Sequence, residues 1–244
     1  MSDIKLEVCV DDADGLYAAI EGGADRIELC AALSVGGLTP NPGLMALAGP
    51  PRVPVYAMIR PRPGDFIFST ADLDAMRRDI DAVRDAGLAG VVLGASLADG
   101  RLDTSMLTKL SGHAAGLGMT LHRAFDLVPD FAEAMEIAVD LGFERILTSG
   151  GARSAPQAID RLSEIIGLAK ARLSIMPGSG VTLKTVDALL DHLTVSEVHS
   201  SCSIGEPAQD PRLVDMGFVS SDRRHTDPET VRAMKVKLAA RSPR

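Results

Sequence analysis

The chain has 244 residues, 46% of them hydrophobic but only 3% aromatic, with a formal net charge of −8. Acidic and basic residues are interleaved, which leaves no basic stripe for nucleic acid, and no run approaches the roughly 18 apolar residues that cross a bilayer. The N-terminus lacks a basic flank followed by an apolar stretch, and three cysteines at Cys9, Cys30 and Cys202 form no disulfide framework, so the expected address is the cytoplasm, without nucleic-acid or membrane partners.

Along the chain a short β-rich run followed by a capped amphipathic helix recurs in eight units. The predicted strands are Lys5 to Val10, Arg26 to Leu29, Val55 to Ile59, Gly90 to Leu93, Met119 to His122, Arg145 to Leu147, Leu173 to Met176 and Val195 to His199. Between them, helical spacing puts Leu73, Met76, Ile80 and Val83 on one face, then Phe131, Ala134, Met135 and Ala138, then Ile159, Leu162, Ile166 and Ala169. Asn41-Pro42 and Asp227-Pro228 place a cap residue before a proline, Asp130 with Glu133 reads as a capping box, and Gly22-Gly23, Gly87, Gly116 and Gly142 mark helix ends.

Strand and helix in alternation call for a parallel sheet covered by helices, and the length suits a closed barrel of about 250 residues. The predicted fold class is α/β, a single (β/α)8 TIM barrel occupying 1–244 as one domain, with a long loop at 203–226 and a C-terminal helix at 227–240. An open doubly wound sheet is disfavoured, because Cys9-Val10-Asp11-Asp12-Ala13 lacks a glycine-rich dinucleotide fingerprint. The segments Gly23-Ala-Asp-Arg-Ile27 and Gly142-Phe-Glu-Arg-Ile146 echo each other four units apart, as two half-barrels would.

In a barrel the outward residues of each strand must be apolar to meet the helices, so parity identifies the inward ones. Glu7 and Cys9, Glu28 and Cys30, Tyr56, Met58 and Arg60, Thr120 and His122, and Glu197, His199 and Ser201 are then predicted to face the lumen. Glu7, Glu28, Arg60, His122 and His199 are the candidate catalytic groups, since acids, bases and a guanidinium converge near strand ends; a purely structural ion-pair network is the competing reading. Gly178, Ser179 and Gly180 after the seventh strand and Ser201 after the eighth form a candidate anion site, with Arg60 and Arg62 adding charge.

The pattern Glu-x-Cys occurs on both of the first two strands, which lie about 4.8 Å apart in a sheet, so Cys9 and Cys30 are candidate metal ligands for one ion. A thiolate pair suits copper(I), with Met58 as a thioether neighbour, and the alternative is that both thiols are packing residues. His113, His192 and His225 read as surface histidines. Asp126, four residues after His122, either orients that ring or caps the next turn.

Leu6-Glu-Val-Cys-Val10, Gly22-Gly-Ala-Asp-Arg-Ile-Glu-Leu-Cys30, Gly36-Gly-Leu-Thr-Pro40, Met58-Ile-Arg-Pro-Arg62, Gly64-Asp-Phe66, His122-Arg-Ala-Phe-Asp126, Gly142-Phe-Glu-Arg-Ile-Leu-Thr-Ser-Gly150 and Met176-Pro-Gly-Ser-Gly180 together resemble the CutC family. The resemblance implies a cytosolic β/α barrel, often oligomeric, named for copper homeostasis, in which Cys9 and Cys30 match the cysteines proposed to bind Cu(I). It brings no established reaction. Pro63-Gly64 departs from the two glycines common in the family, and Ser149-Gly150-Gly151 lacks a cysteine found in some members. The expected partners are thus a copper ion or a small anionic molecule and further copies of the chain. Two functions stay open: copper(I) binding by a thiolate pair, or a barrel enzyme acting on a small phosphorylated or carboxylated metabolite.

Overall fold

The computed structural model describes residues 4–49, 52–207 and 210–241. In chain order the elements are β1 (Lys5–Val10), α1 (Ala13–Gly22), β2 (Arg26–Leu29), α2 (Pro42–Ala48), β3 (Val55–Met58), α3 (Thr70–Asp85), β4 (Gly90–Leu93), α4 (Thr104–His113), β5 (Gly118–Leu121), α5 (Phe131–Asp140), β6 (Arg145–Thr148), α6 (Ile159–Ala169), β7 (Ser174–Pro177), α7 (Val186–Leu190), β8 (Glu197–Ser200), β9 (Ser203–Gly205), α8 (Pro211–Asp215), β10 (Arg224–Thr226) and α9 (Pro228–Arg241). The first eight strands form one parallel sheet in the order β7-β6-β5-β4-β3-β2-β1-β8. β7 and β8 lie against each other and bring the ring close to closure, with the Ser174 and Ser196 hydroxyls 3.2 Å apart at that seam. The fold is a single (β/α)8 TIM barrel, as the alternation requires.

The helix starts follow their local chemistry. Asn41 Oδ1 accepts from the Leu44 N–H, Asp130 Oδ1 from Ala132 and Glu133, and Asp227 Oδ2 from Thr230, each satisfying a donor that the first helical turn leaves unpaired. Ser69 and Asp72 form a reciprocal capping box on α3 that the sequence reading did not single out.

Strand parity divides the interior in two. Leu6, Val8, Val10, Ile27, Leu29, Val55, Ala57 and Ile59 pack outward with Leu73, Met76, Ile80 and Val83 of α3 in one large core, each large side chain contributing about 1.5–3 kcal/mol by leaving water. The lumen holds a separate small cluster of Cys30, Tyr56, Met58 and Val92, with Leu33 packed against it. Room for the Tyr56 ring comes from two glycines: a Cβ on Gly90 would sit 2.3 Å from Tyr56 Cε1, and one on Gly118 2.2 Å from its hydroxyl.

The predicted loop at 203–226 is partly ordered by pairing. β9 and β10 form an antiparallel ribbon with Ile204 opposite His225, and α8 lies between them in sequence. Five predicted strands differ at their ends by one or two residues, observed as Val55–Met58, Gly118–Leu121, Arg145–Thr148, Ser174–Pro177 and Glu197–Ser200, because ladder pairing rather than side-chain type sets where a strand ends.

Candidate functional site

The lower lumen is an ion-pair network centred on Arg26, which is not among the candidate residues expected from the sequence. Arg26 Nε donates to Glu7 Oε2 and its NH2 to Glu197 Oε2, with all three groups buried. Arg145 approaches the same Glu197 carboxylate at 3.5 Å and donates to Thr120 Oγ1 at 2.9 Å, while the Tyr56 hydroxyl donates to Glu144 at 2.8 Å. Arg26 and Arg145 are the two arginines of the echoed Gly-x-x-Arg-Ile segments, so two similar helix-to-strand turns each bring a guanidinium group to the Glu197 carboxylate. Burial alone would raise the Glu7 carboxyl; Arg26 and His199 overcome it and hold the pKa down at about 2.

One step toward the strand ends, Cys9 of β1, Glu28 of β2 and His199 of β8 converge, and their donor atoms all lie within 4.8 Å of one another. Ladder register produces the cluster: Cys9 is level with Glu28, and Glu7 with both Arg26 and His199. His199 Nδ1 is 2.8 Å from Glu7 Oε1, and its Nε2 is 3.7 Å from Glu28 Oε2. Burial would strip the imidazole of its proton, but Cys9, Glu28 and Glu7 around it outweigh that and raise its pKa well above the ordinary value. Burial raises Glu28, with Glu7 adding to the shift against the pull of His199.

Cys30 does not join Cys9 in that cluster. The stagger of neighbouring barrel strands pairs Cys9 with Glu28, so Cys30 sits two residues, about 7 Å of extended chain, beyond Glu28 and just past the end of β2. Its thiol donates to Glu28 Oε2 at 3.6 Å. Burial and the neighbouring Glu28 push that thiol well above its usual pKa. A Cβ on Gly37 would come within 3.2 Å of Cys30 Sγ and 3.4 Å of Met58 Cε, which places the thiol and thioether side by side beneath the loop after β2.

Arg60 and His122 form a different group. Phe66 lies between them, its ring centroid 4.9 Å from the Arg60 guanidinium carbon and 4.7 Å from the His122 ring. Arg60 NH1 donates to the carbonyls of Val35 and Gly37, and NH2 to that of Gly64, so the guanidinium ties together the loops after β2 and β3. Arg62 is held by Asp65, Asp72 and the Ile67 carbonyl. Both arginines are thus committed to the loops after β2 and β3 and not to the anion site expected at the β7 and β8 loops. His122 Nδ1 accepts from the Ala124 N–H, which leaves the ring proton on Nε2, an atom without a partner. Burial, with Arg60 nearby, lowers the His122 pKa to about 3.

Asp126 neither orients His122 nor caps the next turn. It accepts from the Thr148 hydroxyl, the backbone N–H groups of Ser149 and Gly151, and Arg123, which fixes the loop after β6. Of the proposed anion residues, Gly178 is packed against Leu147 and His199. Ser179 donates to the Arg153 carbonyl, and the Ser201 and Ser203 hydroxyls are 2.8 Å apart. Ser179, Gly180 and Ser201 border a cavity of about 670 Å³ whose wall also includes Cys9 and His199.

These lumen residues lie within the span matched by a known family. The CutC family matches residues 4–204. A family protein CutC of Rhizobium meliloti (strain 1021) is 72% identical over 240 residues, 98% of each chain, and one of Agrobacterium fabrum (strain C58 / ATCC 33970) is 55% identical over 237 residues, 96% of this chain and 94% of its own. The crystal structure of a CutC from Streptococcus agalactiae, named as a candidate copper homeostasis protein, superposes with a TM-score of 0.77 at 30% identity, covering 81% of this chain and 98% of that one. A thiamine phosphate pyrophosphorylase from Pyrococcus furiosus, at 12% identity and TM-score 0.60 over 98% of each chain, shares the fold alone. The chain therefore belongs to the CutC family.

Proposed function

We propose that this CutC protein binds one copper ion in the lumen, through the Cys9 thiolate, the His199 imidazole and the Glu28 carboxylate, in a cytoplasmic role in copper handling. The observation that carries the reading is the mutual approach of those three donor atoms to within 4.8 Å in a buried setting, reinforced by Glu28 Oε1, a buried oxygen without a partner. A sulfur, nitrogen and oxygen donor set suits copper or zinc and not the hard cations, which prefer oxygen alone. The copper-homeostasis name carried by the Streptococcus agalactiae relative favours copper. Cys30, bonded to the same carboxylate, supplies a second sulfur after a small shift of Glu28, so the thiolate pair read from the sequence becomes an inner and an outer ligand. All three cysteines are free, in keeping with a reducing compartment. Anaerobic Cu(I) titration against a chromophoric competitor should show near one equivalent bound. Affinity should fall at least about tenfold in Cys9→Ser and in His199→Gln, and less in Cys30→Ser. Affinity unchanged in a Cys9→Ser, His199→Gln double variant removes the copper site.

A second reading is favoured by the 2.8 Å contact of His199 with Glu7 beside a cavity. It is a barrel enzyme in which His199, oriented by Glu7, serves as general acid and base toward a small phosphorylated or carboxylated metabolite. NMR of a metabolite pool of that class should then show one component consumed by the wild-type protein and not by His199→Gln. A pool left unaltered by the wild-type protein sinks this reading.

A further inference from the structure

The cavity beside Cys9 has a chemistry of its own. It lies between the turn after β7 and the segment joining β8 to β9, and at about 670 Å³ it falls within the range of about 300–1,000 Å³ usual for small-ligand sites. In a chain of net charge −8, its wall contains no Asp or Glu but does contain Lys184 and Arg224. Among the described residues Lys184 has no carboxylate partner. Arg224 is anchored by Nε on the Ser203 hydroxyl at 3.0 Å and by NH2 on the Ser203 carbonyl, and among the described residues NH1 has no acceptor.

The hydroxyls continue the pattern. Ser201 and Ser203 share one hydrogen between oxygens 2.8 Å apart, and Arg224 donates into Ser203. Two hydroxyl hydrogens with one used between them leave the other free to donate outward. On each wall a non-glycine residue is held in the left-handed backbone region, Ser179 at φ 66° and Cys202 at φ 44°, a conformation that residues with a Cβ adopt at a cost.

We infer that this cavity is a binding site for a small organic anion, phosphorylated or carboxylated, whose charged end is held by Lys184, Arg224 and the Ser201–Ser203 pair and whose remainder extends toward Cys9 and His199. The site differs from the sequence expectation in its source of charge: Arg60 and Arg62 are committed to the loops after β2 and β3, and the cations come instead from the turn after β7 and from β10. It stands on the cavity whether or not copper binds.

The test is thermal unfolding of the copper-free protein with inorganic phosphate and, separately, with malonate. One or both should raise Tm saturably, and the anion that does so identifies the class. Lys184→Gln and Arg224→Gln, both at exposed positions, should each weaken the anion at least tenfold, read as the shift from each variant's own ligand-free Tm, and Ser201→Ala should weaken it several-fold. The proposal is overturned by the absence of a saturable shift with either anion, or by a shift that survives in the Lys184→Gln, Arg224→Gln double variant. Cu(I) titration of that double variant should match wild type, so failure of the copper site and failure of the anion site register in different experiments.

Discussion

His199 and His122 face the same lumen and are both buried, yet their surroundings drive them to opposite states. Burial works against the proton on both rings. At His199 the sulfur of Cys9 and the carboxylates of Glu28 and Glu7 reverse that effect; at His122 Arg60 adds its own charge to the effect of burial, and the ring packs on Phe66. The lumen is thus divided: an acidic side on β1, β2 and β8 that adjoins a cavity, and a side around β5 where the imidazole is held neutral beside the Arg60-tied loops. Neighbours, and not depth, decide the protonation of a buried imidazole.

The division is most severely tested at Arg26. Replacing it with Met leaves Glu7 and Glu197 buried without their shared cation, and the expected loss is about 3–5 kcal/mol in urea denaturation. A loss below about 1 kcal/mol would mean that the acidic side does not depend on this pairing.

On the neutral side, a Cβ at Gly94 would lie 2.5 Å from the His122 ring. Gly94→Ala should cost about 1–3 kcal/mol through overpacking and leave Cu(I) affinity unchanged, because the ring that must move is not part of the cluster at Cys9. A parallel loss of copper affinity would show that the two sides are coupled.

The smallest effect per step, and the sharpest, is in pH. His122 has a folded pKa of about 3 against an ordinary value of 6.5, so below pH 6.5 the unfolded chain takes up a proton that the folded chain refuses. The contribution of this ring to stability should fall by up to about 1.4 kcal/mol for each pH unit between 6.5 and 3. His199 has the opposite sign: its contribution is complete below pH 6.5 and is lost as pH rises through its raised folded value. Glu7, held at about 2, contributes above its ordinary 4.5 and loses that contribution as pH falls through 2. The difference between wild type and His122→Asn, which keeps an acceptor for the Ala124 N–H, in urea titrations between pH 6.5 and 5 therefore isolates His122, and the variant should show the flatter slope. An unchanged slope in that variant would refute the neutral-histidine assignment.

The barrel itself was legible because periodicity is a local property. Apolar residues at alternate strand positions and at helical spacing had to face each other, and the same parity correctly turned Glu7, Cys9, Glu28, Cys30 and His199 inward. The aromatic and glycine pattern was less transparent: nothing local to Gly90 or Gly118 says that each makes room for Tyr56. Arg26 was recoverable, since it shares the parity of Glu28 and recurs as Arg145 in the echoed segment.

What parity could not supply is height along the barrel axis. Two identical Glu-x-Cys runs on adjacent strands suggest two sulfurs side by side, but the stagger imposed by closing the sheet sets Cys9 level with Glu28 and moves Cys30 further along its strand. The direction of long polar side chains was equally hidden: Arg60 and Arg62 bind their own loops, while Lys184 and Arg224 reach one cavity from segments 40 positions apart in sequence. Alternation fixes which face a side chain takes, whereas level and reach depend on ring closure and on loop partners distant in the chain, and those exist only once the chain has folded.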